Sequence, residues 1–93
     1  MSMATIAIQL KIEGERIIPG LAEAGERLDS AEGEMILDFS SVRQLDASAL
    51  RAMERLAAAA DDKSIKLVLR GTSINVYKVL KLMKLAPRFS FAS

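Results

Sequence analysis

Hydrophobic and polar positions alternate along this chain in a way that predicts four short strands. Residues 5–12 alternate apolar and polar side chains with a period of two, which is typical of a half-buried strand. Residues 34–40 and 65–70 are apolar runs of strand length. A shorter aromatic signal at residues 89–91 predicts a final strand.

The first stretch with helical periodicity lies between the first two strands. Leu21, Ala24 and Leu28 recur at the spacing of one helix face. Pro19 is predicted at the first helical position, where its missing amide costs no hydrogen bond. Residues 16–18 are predicted to form a short additional strand that pairs back on the first strand.

Two further helices follow the later strands. The second is predicted over residues 46–60, and the third is predicted to begin after Ser73, which caps it. The apolar stripe of the third helix consists of Val76, Val79, Leu80 and Met83. Strands that alternate with helices predict an α/β domain in which right-handed parallel crossovers place the helices over the sheet.

Composition limits the chemistry of the chain. With 93 residues, of which 51% are hydrophobic, the chain is predicted to form a single domain over residues 1–93. It contains no Cys and no His, so it lacks a thiol nucleophile, an imidazole base and the usual zinc ligands. We therefore expect a non-enzymatic protein without a cofactor or a metal. The lack of Cys fits a cytoplasmic location, and no apolar run is long enough for membrane insertion.

Charge is distributed unevenly along the chain. Residues 1–45 contain eight acidic and four basic side chains, whereas residues 46–93 contain four acidic and nine basic ones. From Lys63 onward there is no acidic residue. This uneven distribution of charge favours an oriented encounter with an acidic protein surface. The alternative interpretation is that the basic residues form only a solvated face without a partner. The basic region lacks interleaved aromatic residues, so nucleic acid is not an expected partner.

The turn between the second strand and the second helix concentrates the candidate chemistry. Asp46 is a predicted N-cap, and Ser48 falls in the first turn, where free amides and the helix dipole favour negative charge. Phosphate on Ser48 would be stabilised there. Asp38, near the end of the preceding strand, is predicted to support the site by accepting hydrogen bonds from loop amides.

Two enzymatic interpretations fail on the residues present. A phosphorelay receiver with Asp38 as its acceptor needs clustered carboxylates to hold magnesium, and the first strand provides no acidic pair. A hydrolase based on Ser40, Ser41 or Ser48 lacks a histidine to activate the hydroxyl.

The segment MILDFSSVRQLDASALRAM at residues 35–53 resembles the signature of STAS domains, the family named for sulfate transporters and anti-sigma factor antagonists. That signature is a hydrophobic strand ending in Asp, followed by Asp-Ser-Ser-Gly-Leu or Asp-Thr-Ala-Gly-Leu at a helix start. The resemblance extends over residues 34–91, including the third helix and last strand, whereas residues 1–33 match only loosely. It implies a STAS-like mixed β-sheet of about four strands covered by about three helices.

The chain departs from the family pattern at the position that is phosphorylated in the bacterial antagonists. In the bacterial antagonists, the residue after the second Asp is a phosphorylated Ser or Thr, and here it is Ala47, which cannot accept phosphate. Ala49 replaces the glycine of the motif. Ser48 is then the remaining local serine that a kinase could modify.

The resemblance implies a bacterial partner-switching protein that docks on an anti-sigma factor or serine kinase and frees a sigma factor for transcription. The alternative is a STAS subunit of an ABC-type lipid transport complex that binds the ATPase subunit through the same surface. A module of a multi-protein sensory complex is a third possibility. The partner-binding residues implied by the resemblance are Ser41, Asp46, Ala47, Ser48, Ala49 and Arg51.

Overall fold

The computed structural model describes residues 7–92, so the predicted strand positions Thr5 and Ile6 lie outside the described residues. The strands are β1 (Ile8–Lys11), β2 (Glu34–Asp38), β3 (Lys66–Arg70) and β4 (Ser90–Ala92). The helices are α1 (Ile17–Arg27), α2 (Ala47–Asp62) and α3 (Ile74–Leu82), with short 3₁₀ turns at Leu28–Ser30 and Ala86–Arg88. The predicted α/β fold with four strands and three helices is confirmed.

The four strands form one sheet in chain order, and all three pairings between these strands are parallel. One continuous row across the sheet consists of Leu10, Leu37, Leu69 and Phe91. The mixed sheet implied by the resemblance is therefore not what residues 7–92 form. A helix separates each pair of neighbouring strands, and such a crossover returns the chain in the same direction.

The predicted short strand at residues 16–18 is wrong, because this segment starts α1. Arg16 precedes the helix, and its carbonyl accepts a hydrogen bond from the amide of Gly20 at 3.1 Å. Pro19 is the third helical residue rather than the first. Its missing amide costs nothing there, because the first four amides of a helix have no intrahelical partner.

One face of the sheet is covered and the other is open in the described part of the chain. Met35 and Leu37 of β2 and Leu69 of β3 are buried, whereas Lys11 and Arg70, on the opposite face, are exposed. The strand order follows the chain order, so each crossover moves to the next strand in the same direction across the sheet. Because such crossovers are right-handed, all three helices lie on the same face, which is the covered one.

The core between the sheet and the helices is apolar throughout the described residues, where no polar or charged residue is buried. Phe39 and Met53 are fully buried near its centre. Each such side chain contributes about 1.5–3 kcal/mol through removal from water. None of the helices within residues 7–92 has the length and apolarity needed to cross a membrane.

Candidate functional site

The start of α2 is built around Asp46. Its backbone is extended, and its Oδ1 accepts a hydrogen bond from the amide of Ala49 at 2.8 Å. This contact satisfies one of the free amides of the first turn, as the sequence predicted for an N-cap. Ala47 and Ser48 follow directly and are exposed.

Arg51 lies one turn further along the same exposed surface. Its guanidinium donates a hydrogen bond to the Ser48 hydroxyl at 3.4 Å. We call the exposed side chains of Asp46, Ala47, Ser48 and Arg51 the α2 start. A carboxylate or phosphate that approaches it would meet the positive end of the helix dipole and one guanidinium.

Ala49 does not belong to this exposed surface, although the sequence grouped it with the partner-binding residues. Only 2% of it is exposed, because it shares the buried stripe of α2 with Met53, Leu56 and Ala57. Its methyl group packs in the core. A substitution of Ala49 could therefore change the binding of a partner only by shifting the start of α2.

Ser41 joins the loop after β1 to the loop after β2. Its hydroxyl accepts a hydrogen bond from the amide of Gly14 at 3.2 Å and donates one to the carbonyl of Ile12 at 3.1 Å. A Cβ at Gly14 would lie 2.3 Å from the Ser41 carbonyl oxygen, so the two loops touch closely. The half-buried Ser41 hydroxyl is therefore occupied within the protein.

Asp38 lies at the end of β2 on the open face of the sheet. Its Oδ1 accepts a hydrogen bond from the amide of Ser40 at 2.9 Å, which is the contact with a loop amide that the sequence predicted. Hydrogen bonding from Ser40 lowers the pKa of Asp38, and the nearby Lys11 and Arg70 lower it further. The ionised carboxylate therefore stabilises the fold above its unfolded pKa, and this contribution is lost as the pH falls through the lowered pKa.

A groove that the sequence did not predict lies beside the α2 start. A space of about 160 Å³ lies between the first two turns of α2 and the segment that follows α3, and it is lined by Ala47, Leu50, Arg51, Glu54, Met83 and Leu85. We call it the α2–α3 groove. Leu82, the last residue of α3, is 79% exposed, and Met83, which follows it, is 54% exposed.

The helical pattern misassigned Met83 at this groove. Met83 was expected in the buried stripe and is exposed, whereas Leu85, which falls off that stripe, is buried. The reason is that α3 ends at Leu82 and Lys84 has a φ of 61°, so the chain turns and helical spacing no longer applies. In the sequence, the only signal for an exposed apolar surface at this place is the adjacent pair Leu82 and Met83.

A second depression adjoins Asp46 on its other side. It has a volume of about 470 Å³ and lies between residues 14–19, which comprise the loop after β1 and the first residues of α1, and residues 44–46 of the loop before α2. Both loops follow the carboxyl ends of parallel strands, where α/β sheets usually bind their ligands. Within residues 7–92, no group of three or more acidic side chains is placed to hold a metal ion.

The comparisons with known proteins agree with this architecture. The STAS domain family model matches residues 10–93, and the chain belongs to this family. A similar solved structure is that of a "putative anti-sigma factor antagonist" from Thermotoga maritima, with a TM-score of 0.65 and 14% sequence identity. The alignment covers 98% of this chain and 75% of that one, and at this identity it shows a shared fold. The comparison with curated proteins finds no match.

Proposed function

We propose that this STAS domain is a non-enzymatic regulator that docks through its α2 start on an anti-sigma factor or a related serine kinase. The observation that carries the proposal is the exposure of Ala47 and Ser48 at a capped helix start, beside an apolar groove. A binding role needs an exposed surface with defined shape, and it needs no activated nucleophile.

Ala47 gives this surface a particular chemistry. Its methyl group lines the α2–α3 groove together with Leu50 and Met83, so the position that carries a phosphorylated hydroxyl in the antagonists is here an apolar wall. Binding would then be regulated by abundance, by a second subunit or by modification of Ser48. Phosphate on Ser48 would add negative charge next to Ala47 and disfavour an acidic partner.

The charged side chains around the groove support an acidic partner surface. Arg51 lies on its α2 side, and the exposed Lys84 stands between Met83 and Leu85 in the chain. Glu54 is the one acidic residue among those that line the groove. Complementary charge of this kind would mainly raise the association rate and select the partner.

The test measures binding of the purified protein to each anti-sigma factor and serine kinase encoded in its own genome, by calorimetry with and without ATP. We expect a complex, and about tenfold weaker binding for Ala47→Asp, which places a charge in the apolar wall. Ala58→Asp is the matched control, because Ala58 is exposed on the same helix and is not among the residues that line the groove. Both variants must keep the thermal unfolding of the unchanged protein.

Two results would contradict the proposal. Equal affinity for the Ala47→Asp and Ala58→Asp variants would remove the α2 start from the interface. Stoichiometric phosphorylation that survives Ser48→Ala would show that a different position is the switch. Capture of an ABC-type ATPase subunit in place of a kinase would favour the transporter alternative, which uses the same surface.

A further inference from the structure

A second exposed apolar cluster lies at the β4 edge of the sheet. Ile74 and Tyr77 of α3 and Phe91 of β4 are 72%, 40% and 37% exposed. The Tyr77 and Phe91 rings meet edge to face, with centroids 5.0 Å apart and an interplanar angle of 82°. We call these three residues the β4-edge patch. They are half of the large apolar residues that are exposed in the described part of the chain.

The β4-edge patch surrounds a cavity of about 340 Å³. Its remaining lining residues are Gly71, Thr72, Ser73 and Ala92. The Thr72 hydroxyl is buried and has no hydrogen-bond partner within the described residues.

The backbone of β4 has a free side next to this cavity. Within residues 7–92, β4 pairs with β3 alone. The carbonyl of Ala92 accepts a hydrogen bond from the amide of Gly71, so Ala92 faces β3. Successive residues of a strand point their amides and carbonyls to opposite sides, so the amide and carbonyl of Phe91 face away from β3. They can pair with an added strand.

The charge around the β4-edge patch is positive. Lys78 and Lys81 are exposed, and they share one face of α3 with Ile74 and Tyr77, at spacings of three, four and seven residues from Ile74. There is no acidic residue from Lys63 to the end of the chain. A second copy of this protein would bring like charges together, whereas an acidic segment would find complementary ones.

We propose that the β4 edge binds an extended acidic segment of a partner protein as a fifth strand, with one apolar side chain of that segment in the cavity. Backbone hydrogen bonds to Phe91 provide the pairing, Ile74 and Tyr77 enclose the apolar side chain, and Lys78 and Lys81 select negative charge. This interface does not rest on the proposed role of the α2 start.

The test uses labelled peptides of about ten residues that alternate Val, Leu or Phe with Glu, and a matched panel in which Lys replaces Glu. Fluorescence anisotropy measures affinity, and hydrogen exchange followed by NMR measures protection of the Phe91 amide. We expect members of the Glu panel to bind about tenfold more tightly than their Lys counterparts and to protect that amide.

Variants separate charge from strand pairing. The double substitution Lys78→Glu and Lys81→Glu is expected to weaken binding of the Glu peptides by about tenfold or more. Arg27→Glu, which reverses one charge where the double substitution reverses two, is the control, because Arg27 is exposed at the end of α1 and lies outside the cavity. We expect its affinity to equal that of the unchanged protein.

Three results would overturn the proposal. The first is that no peptide of the Glu panel binds. The second is binding without protection of the Phe91 amide, or binding that Arg27→Glu weakens as much as the double substitution does. The third is a dimer in sedimentation experiments that Ile74→Asp abolishes, because the occupant of the edge would then be a second copy of this chain.

Discussion

At the scale of single residues, Asp46 determines where α2 begins and which side chains its first turn exposes. Its carboxylate holds the amide of Ala49 at 2.8 Å. Asp46→Ala is therefore expected to lower the free energy of unfolding by about 1 kcal/mol in urea denaturation. Asp46→Asn, which retains an acceptor oxygen, is the control and should lose much less. Equal losses for the two variants would show that the hydrogen bond from the Ala49 amide is not the source of the stability.

At the scale of elements, the loops after β1 and β2 depend on a close approach that only glycine permits. A Cβ at Gly14 would lie 2.3 Å from a backbone oxygen of Ser41, so Gly14→Ala must displace one of the loops. We expect a loss of about 1–3 kcal/mol in the free energy of unfolding. Displacement of the second loop would also shift the α2 start.

The control for this prediction is the same substitution inside α1. Gly25 is helical, and an added Cβ would meet only Leu56, at an ordinary distance of 3.9 Å. Gly25→Ala is expected to stabilise the protein by about 0.5–1 kcal/mol, because alanine loses less backbone entropy in a helix. Two substitutions of identical chemistry should thus have opposite signs, and a common sign would refute the contact at Ser41.

At the scale of the whole molecule, the apolar core contributes far more stability than the surface ion pairs. Met53 is fully buried, and Met53→Ala is expected to cost about 2–5 kcal/mol. Arg88 contacts Asp61 at 2.9 Å between exposed side chains, and Asp61→Ala should cost less than about 1 kcal/mol. Urea denaturation of both variants measures the difference, and a larger loss for Asp61→Ala would reverse this ranking.

Much of the fold was predictable because its signals are local. The caps at Asp46 and Ser73 and the alternation in β1 and β2 each depend on a few neighbouring residues. Residues 16–18 were misassigned because two isoleucines suit either a strand or the first turn of a helix. Met83 was misassigned because helical spacing was extended beyond the end of α3.

The sequence by itself determined most of the element order, the covering of the sheet by helices and the capped start of α2. These features follow from periodicity, side-chain chemistry and a family signature, all of which are contiguous along the chain. Only the tertiary structure decided that Ala49 is buried, that the end of α3 completes a groove at Ala47, and that Phe91 meets Tyr77 at an open strand edge. Such contacts join residues distant in sequence, and they depend on how helices and strands pack.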